Sequence, residues 1–203
     1  MKIATYCGGI AATNAYYLPE ARALVDAPEG ALAWIRENGW AVDLLLVTHG
    51  HFDHIWDAAA IKAETGCRVA YHPDDRPLLM DPGRQARMFG LDLDAPGLEA
   101  DIALQDGGAL EAAPFSFRTL HIPGHCAGSI CFYCESERLV FGGDVLFAGG
   151  IGRTDLPGGS TEMLLDGIRT KLLTLPDETW LYPGHGPPTR IGRERRSNPF
   201  LIE

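Results

Sequence analysis

Between Val47 and Asp57 the chain reads VTHGHFDHIWD, placing three of its seven histidines and two aspartates within eleven residues. Imidazole and carboxylate ligate first-row divalent metals, and near neutral pH they also move protons. The same residue types recur downstream: His125 in HIPGHCAGS, Asp144 at the end of LVFGGD, and His185 in LYPGHGPPT. With His49, His51, Asp53 and His54 they make seven candidate ligands, each where an apolar run gives way to a loop. A structural zinc site closes with four ligands. Seven residues, with a bridging carboxylate and a bridging hydroxide, supply the roughly eight to ten donor positions that two ions need. Gly50 and the two PGH turns let the backbone bend so that the imidazoles converge.

The elements that position these residues are legible in outline. Short β runs fall at Lys2–Tyr6, Asn14–Leu18 and Ala23–Val25, and a helix fits Glu29–Asn38, with Pro28 near its start and Gly39 at its end. VDLLLVT reads as a strand buried on both faces that delivers the first histidines. Asp53–Thr65 reads as one helix closed by Gly66, and CRVAYH as the next strand. Met80–Asp101 is rich in Gly, Pro and Asp without clean periodicity, and reads as a surface excursion or a lid over the site. Strands resume at Phe115–Ile122, Ser129–Cys134 and Leu139–Phe141. A helix at Thr161–Leu173 has Ser160 as its N-cap, ETWLYPG reads as the last strand, and GRERRSNPF as a short final helix. Strands in succession followed by a helix, twice over, suggest two sheets packed face to face with helices outside.

Composition narrows the function classes. The 203 residues are 46% apolar and carry a formal charge of −10. That is enough for a substantial core and the wrong sign for a nucleic-acid binder. No run approaches a transmembrane helix and MKIATYCGGI is no signal peptide, so a cytoplasmic protein without membrane attachment is expected. With no repeat and no linker, residues 1–203 read as a single domain. Five cysteines without a secretory signal argue for free thiols. Cys131 and Cys134 form a C-x-x-C within a strand, where residues three apart face opposite sides, so the pair reads as ordinary buried cysteines.

THGHFDH resembles the T-H-x-H-x-D-H signature of the metallo-β-lactamase fold superfamily, and His125, Asp144 and His185 follow in that family's order. The resemblance covers nearly the whole chain, from TNAYYL to NPFL. Within it, GGDVLFAGGIGRTDLPGGS and GHGPPTRIGRERRSNPF resemble the short, stand-alone glyoxalase II-type hydrolases. It implies an α/β, four-layer αβ/βα sandwich of two mixed sheets flanked by helices. It also implies a ligand scheme: His49, His51 and His125 on one metal, Asp53, His54 and His185 on the other, and Asp144 bridging. The implied ions are divalent, zinc first, with iron or manganese as alternatives. The implied reaction is hydrolysis of a thioester such as S-lactoylglutathione by a metal-bound hydroxide that Asp53 helps to orient. Only 18 residues follow His185, so the helical domain with which full-length glyoxalase II enzymes grip glutathione is not expected here.

The same motif admits other readings. A persulfide dioxygenase-like oxidoreductase would need only one iron on His49, His125 and Asp144. A lactonase carries Tyr where this chain has Phe147, and a metal-binding module without turnover is the non-enzymatic alternative. Around the seven residues, Asp26, Thr48 and Asp57 read either as hydrogen-bonding partners of ligands or as ordinary caps and turns. His72 reads as a surface or capping residue, His121 as a strand histidine or a partner of a ligand, and Arg153 as a tie between loops. Cys126 stands where related proteins mostly carry Thr. Arg84, Arg87 and Arg190 are the cations a glutathione moiety could meet, and Met88 and Phe89 could form the apolar face of a lid.

Overall fold

A computed structural model describes residues 1–202. The first half supplies β1 (Ala4–Gly8), β2 (Thr13–Leu18), β3 (Ala23–Val25), α1 (Ala31–Asn38), β4 (Leu44–Leu46), α2 (Phe52–Ile55), α3 (Ala58–Thr65) and β5 (Arg68–Tyr71). A 3-10 turn at Pro73–Asp75 leads to α4 (Arg76–Met80), α5 (Pro82–Met88) and β6 (Ile102–Ala103). The second half supplies β7 (Ala109–Ala112), β8 (Phe115–His121), β9 (Ile130–Cys134), β10 (Leu139–Gly143), β11 (Leu146–Phe147) and β12 (Gly150–Ile151). It ends with α6 (Thr161–Gly167), β13 (Trp180–Pro183), β14 (Thr189–Arg190) and α7 (Ile191–Ser197). Among the described residues no helix is long and apolar enough to cross a membrane.

Two mixed six-stranded sheets form, in the orders β1-β2-β3-β4-β5-β6 and β14-β13-β10-β9-β8-β7. The period-2 alternation of strands explains the layering. Tyr16, Leu18 and Val25 face the second sheet and meet Phe117, Phe132 and Phe141 in the central core. Their neighbours Tyr17 and Leu24 face outward and pack with Ile35 of α1 and Ile61 of α3. On the far side, Val140 and Leu181 pack with Leu164 of α6 and Ile191 of α7. The result is helix, sheet, sheet, helix, as expected. Cys131 joins the outer core and Cys134 the central one, so the C-x-x-C pair is split across a sheet and both thiols are free.

Three expectations are corrected. The single helix at Asp53–Thr65 is two, because Ala27 intervenes: its N–H donates to the His54 carbonyl and its carbonyl accepts from Asp57 N–H. Those two groups are thereby lost to the helical ladder. The excursion at Met80–Asp101 contains α5, started by Pro82 at its first turn and by Asp81 accepting from Arg84 N–H. ETWLYPG is not the last strand, since β14 returns antiparallel beside β13. At Thr161, Ser160 caps α6 by accepting from Met163 N–H, and the helix runs on into a π-helical turn at Ile168–Leu172.

Candidate metal centre

All seven sequence-predicted residues meet at one edge of the sandwich. The first sheet contributes four. His49 and His51 follow β4, and Asp53 and His54 lie on α2. The second sheet contributes His125 after β8, Asp144 directly after β10 and His185 after β13. Asp53, His54 and His185 form one group with ligand atoms within 4.8 Å of one another; His49, His125 and Asp144 form a second. The His51 ring lies 4.8 Å from that of His49 and 4.5 Å from that of His125. Asp144 connects the groups: Oδ2 is 3.6 Å from His125 Nε2 and 3.3 Å from His185 Nε2, and Oδ1 is 3.4 Å from His54 Nε2.

The outer nitrogens of four imidazoles are tied in ways that fix their protons. His125 Nδ1–H donates to the Arg153 carbonyl at 2.8 Å and His185 Nδ1–H to the Ala11 carbonyl at 3.1 Å. His54 Nδ1–H donates to Asp26 Oδ2 at 2.8 Å. Thr48 gives its one hydroxyl proton to Asp26 at 2.7 Å, so at 3.1 Å it accepts from His49 Nδ1–H. Each ring, in its neutral form, therefore turns a bare Nε2 inward. Yet His49 Nε2 lies 3.2 Å from His125 Nε2, and His54 Nε2 lies 3.3 Å from His185 Nε2. Two lone pairs at that separation repel unless a cation or a proton lies between them. Asp144 Oδ1, buried, has no hydrogen-bond donor. The donor set fits divalent cations.

Charge follows the same division. Burial holds His49 and His125 below the usual imidazole range and takes His51 down to about 3, so these three keep their lone pairs at neutral pH. Burial also disfavours charge on His54 and His185, but the carboxylates of Asp53 and Asp144 overcome it, raising His54 well above its ordinary value and His185 to about 9. Against the same burial, His54 and His185 hold Asp53 and Asp144 ionised well below the carboxylate range.

Several supporting groups have no metal-specific signal in the sequence. Thr13 Oγ1 donates to Asp53 Oδ2 at 2.7 Å. Asn14 Nδ2 donates to the Pro183 and Gly186 carbonyls on either side of His185. Asp75 accepts from Gly50 N–H at 2.8 Å and from Gly128 N–H at 2.6 Å, tying the loops of His51 and His125 together. Gln85 Nε2 donates to the Gly50 carbonyl at 2.9 Å. Gly184 is required by close approach, since a Cβ there would stand 2.1 Å from Asp144 Oδ1.

The other residues singled out divide. Asp26 and Thr48 support ligands, whereas Asp57 accepts from Leu32 N–H at α1, away from the centre. Arg153 ties loops through its carbonyl while its guanidinium pairs with Asp155. His72 caps the 3-10 turn and stacks on His121, whose Nε2–H donates to the Ala127 carbonyl. Cys126 Sγ lies 3.2 Å from His51 Nε2. Arg84, Met88 and Phe89 line a groove beside the centre; Arg190 stacks on Trp180 elsewhere, and Arg87 lies 3.7 Å from Asp81.

The chain is similar to known proteins over most of its length. The hydroxyacylglutathione hydrolase GloC of Haemophilus influenzae is 42% identical over 172 residues, covering 82% of this chain and 79% of GloC. The crystal structure of BLEG-1 B3 metallo-beta-lactamase superposes with a TM-score of 0.91 at 35% identity, over all of both chains. TTHA1623 in a di-iron-bound form superposes with a TM-score of 0.88 at 37% identity, over 97% of this chain and 99% of that one. Residues 12–185 match the metallo-beta-lactamase superfamily, and the chain belongs to that superfamily.

Proposed function

We propose that His49, His51 and His125 hold one divalent cation, that Asp53, His54 and His185 hold a second, that Asp144 bridges them, and that the site hydrolyses an acyl thioester. The bare Nε2 atoms of His49 and His125, 3.2 Å apart, and the Nε2 atoms of His54 and His185, 3.3 Å apart beside the carboxylates of Asp53 and Asp144, are the observation that carries this reading. Zinc is the first choice for a His/Asp set without thiolate, with iron and manganese suited to the same donors. When bound, such cations activate water as a nucleophile and offset the negative charge that develops on an acyl oxygen.

The chain's own residues supply the rest. Asp53 accepts from Thr13 at Oδ2 and keeps Oδ1 to orient the attacking water. The tied Nδ1 groups of His49, His54, His125 and His185 fix ring orientation before substrate arrives. A thiol with a pKa of about 8.5 departs as thiolate without a proton donor. This suits a site whose only groove-lining cation without an ion-pair partner among the described residues is Arg84. Arg84 can meet an anionic group of the thiol arm. Both sheets feed one centre, so the sandwich works as one catalytic unit.

The similarity to GloC makes S-lactoylglutathione the probe. Metal content and turnover on one preparation test the reading. About two metals per chain with chelator-sensitive hydrolysis support it. One iron per chain, no hydrolysis, and oxygen uptake with glutathione persulfide replace it with a dioxygenase. The group of His49, His125 and Asp144 favours that second reading, because two imidazoles and a carboxylate are the donor set of non-haem iron oxygenases.

A further inference from the structure

A groove of about 600 Å³ opens over the centre, with His51, Asp53, Asp144 and His185 at its floor. One wall is α5. Asp81, Arg84, Gln85 and Met88 recur at helical spacing, share one face and all line the groove. The opposite face of α5 rests on a small core of its own, where Ala86 and Leu93 pack with Phe52, apart from the cores between the layers. The bond from Gln85 to the Gly50 carbonyl joins this wall to the loop between His49 and His51. The wall is therefore a fixed part of the site.

Beyond Asp81, Arg84 and Gln85, the groove is lined largely by apolar side chains. Ile10, Phe52, Leu78, Met88, Phe89 and Leu91 line the groove, and the Phe89 ring lies 5.5 Å from that of Phe52. Three of them are large side chains left in water: Ile10 is 75% exposed, Met88 61% and Phe89 48%. Scattered exposed apolar residues need no explanation, but a cluster at the lip of a reactive site marks a surface that a ligand covers. The charged side chains of this wall, Asp81 and Arg84, lie toward the start of α5, away from Phe89, and the second groove-lining arginine, Arg153, is paired with Asp155.

We infer, resting on the thioesterase reading, that the acyl arm of the substrate is apolar, an alkyl or aryl group, and that Met88 and Phe89 select it. The acyl arm is assigned to the apolar end of this wall, at Met88 and Phe89, and the thiol arm to the end that carries Arg84, because the departing thiolate is anionic. An apolar wall against the sulfur would raise the cost of that charge. A lactoyl group, short and hydroxylated, leaves most of the wall bare.

The test holds the thiol constant. S-acetyl-, S-lactoyl- and S-hexanoylglutathione share one leaving group, so their kcat/KM ratios read the acyl arm alone. A fully buried methylene is worth roughly fourfold. The wall covers one side of the chain, so hexanoyl is expected to exceed acetyl and lactoyl by about tenfold. Phe89→Ser and Met88→Ser, both at exposed positions, are expected to shrink that ratio to about threefold or less. Equal rates for the three thioesters, or a lactoyl preference, overturn the inference. If the metal-loaded protein hydrolyses none of them, the thioesterase reading fails, and calorimetry with hexanoate and acetate then reads the groove itself. Hexanoate binding about tenfold tighter sustains the apolar arm, and equal binding overturns it.

Discussion

Asp26 Oδ2 and His54 Nδ1 meet at 2.8 Å, with both side chains buried. The same carboxylate accepts from Thr48 N–H and Thr48 Oγ1, so one residue orients His54 directly and His49 through Thr48. Asp26 does so with φ at 57°, a left-handed conformation that Asp and Asn tolerate and most residues do not. Asp26→Ala combines that strain with three orphaned donors. Metal affinity is expected to fall roughly 10–100-fold, read by chelator competition. Asp26→Asn keeps the conformation, and is expected to lose less stability than the Ala variant in thermal unfolding. Equal losses would show that the conformation contributes nothing.

Asp75 holds two loops with two oxygens. Asn has only one acceptor oxygen, so Asp75→Asn releases either Gly50 or Gly128. A cost of about 1–3 kcal/mol in unfolding free energy is expected from the orphaned N–H, measured by denaturant titration of the metal-free protein. An unchanged midpoint would remove the clamp from the account.

Cys126 is the one sulfur beside the centre, and its contact is with His51 Nε2. Cys126→Ser retains a hydrogen-bond acceptor there, whereas Cys126→Val does not. The Val variant is expected to bind metal roughly tenfold more weakly and the Ser variant within about threefold of the parent. Loss of both to the same degree would point to packing as the cause.

Arg84 is exposed, so its attraction for an anionic thiol arm is modest. Arg84→Gln is expected to raise KM for S-lactoylglutathione about two- to fivefold at low salt, with kcat little changed. The difference from the parent should vanish toward 1 M salt, where screening is nearly complete. A salt-independent effect would assign Arg84 a steric role.

Stripping the metals leaves a centre whose titrations oppose one another. His49, His51 and His125 are held below the ordinary imidazole value, so the unfolded chain binds their protons first, and stability falls as pH drops below about 6.5. His185, raised to about 9, works the other way: its contribution is full below about 6.5 and is lost as pH climbs through 9. His54 has the same sign. The metal-free protein is expected to melt highest near pH 6.5, and a melting temperature that rises steadily from pH 6.5 to 9 would contradict this assignment.

The candidate ligands were legible because their chemistry is sparse: few residue types ligate metals, and they sit at strand exits that apolar runs reveal. The layering was legible from alternation in strands such as β2. The break at Trp56 and Asp57 was not, because it depends on Ala27, a residue without local turn chemistry that is brought there by the sheet. Asp75 and Gln85 were hidden for a similar reason. An aspartate after His-Pro and a glutamine in a Gly/Pro-rich excursion look like surface residues until the fold carries both against Gly50. Arg190 shows the converse, since a position near His185 in sequence placed it near the centre and the return strand β14 points it at Trp180 instead.

That the ligands divide between the sheets, four from one and three from the other, has a mechanical consequence. The core between the sheets is held by non-directional apolar packing, whereas coordination bonds have fixed lengths and directions. Ions at this edge would act as a rivet through two plates. Chelation is then expected to leave amide exchange in β10 nearly unchanged, while the Asn14 and Ile130 amides, which donate across the seam to the Gly184 and Thr48 carbonyls at 2.7 and 2.9 Å, begin to exchange as the plates part.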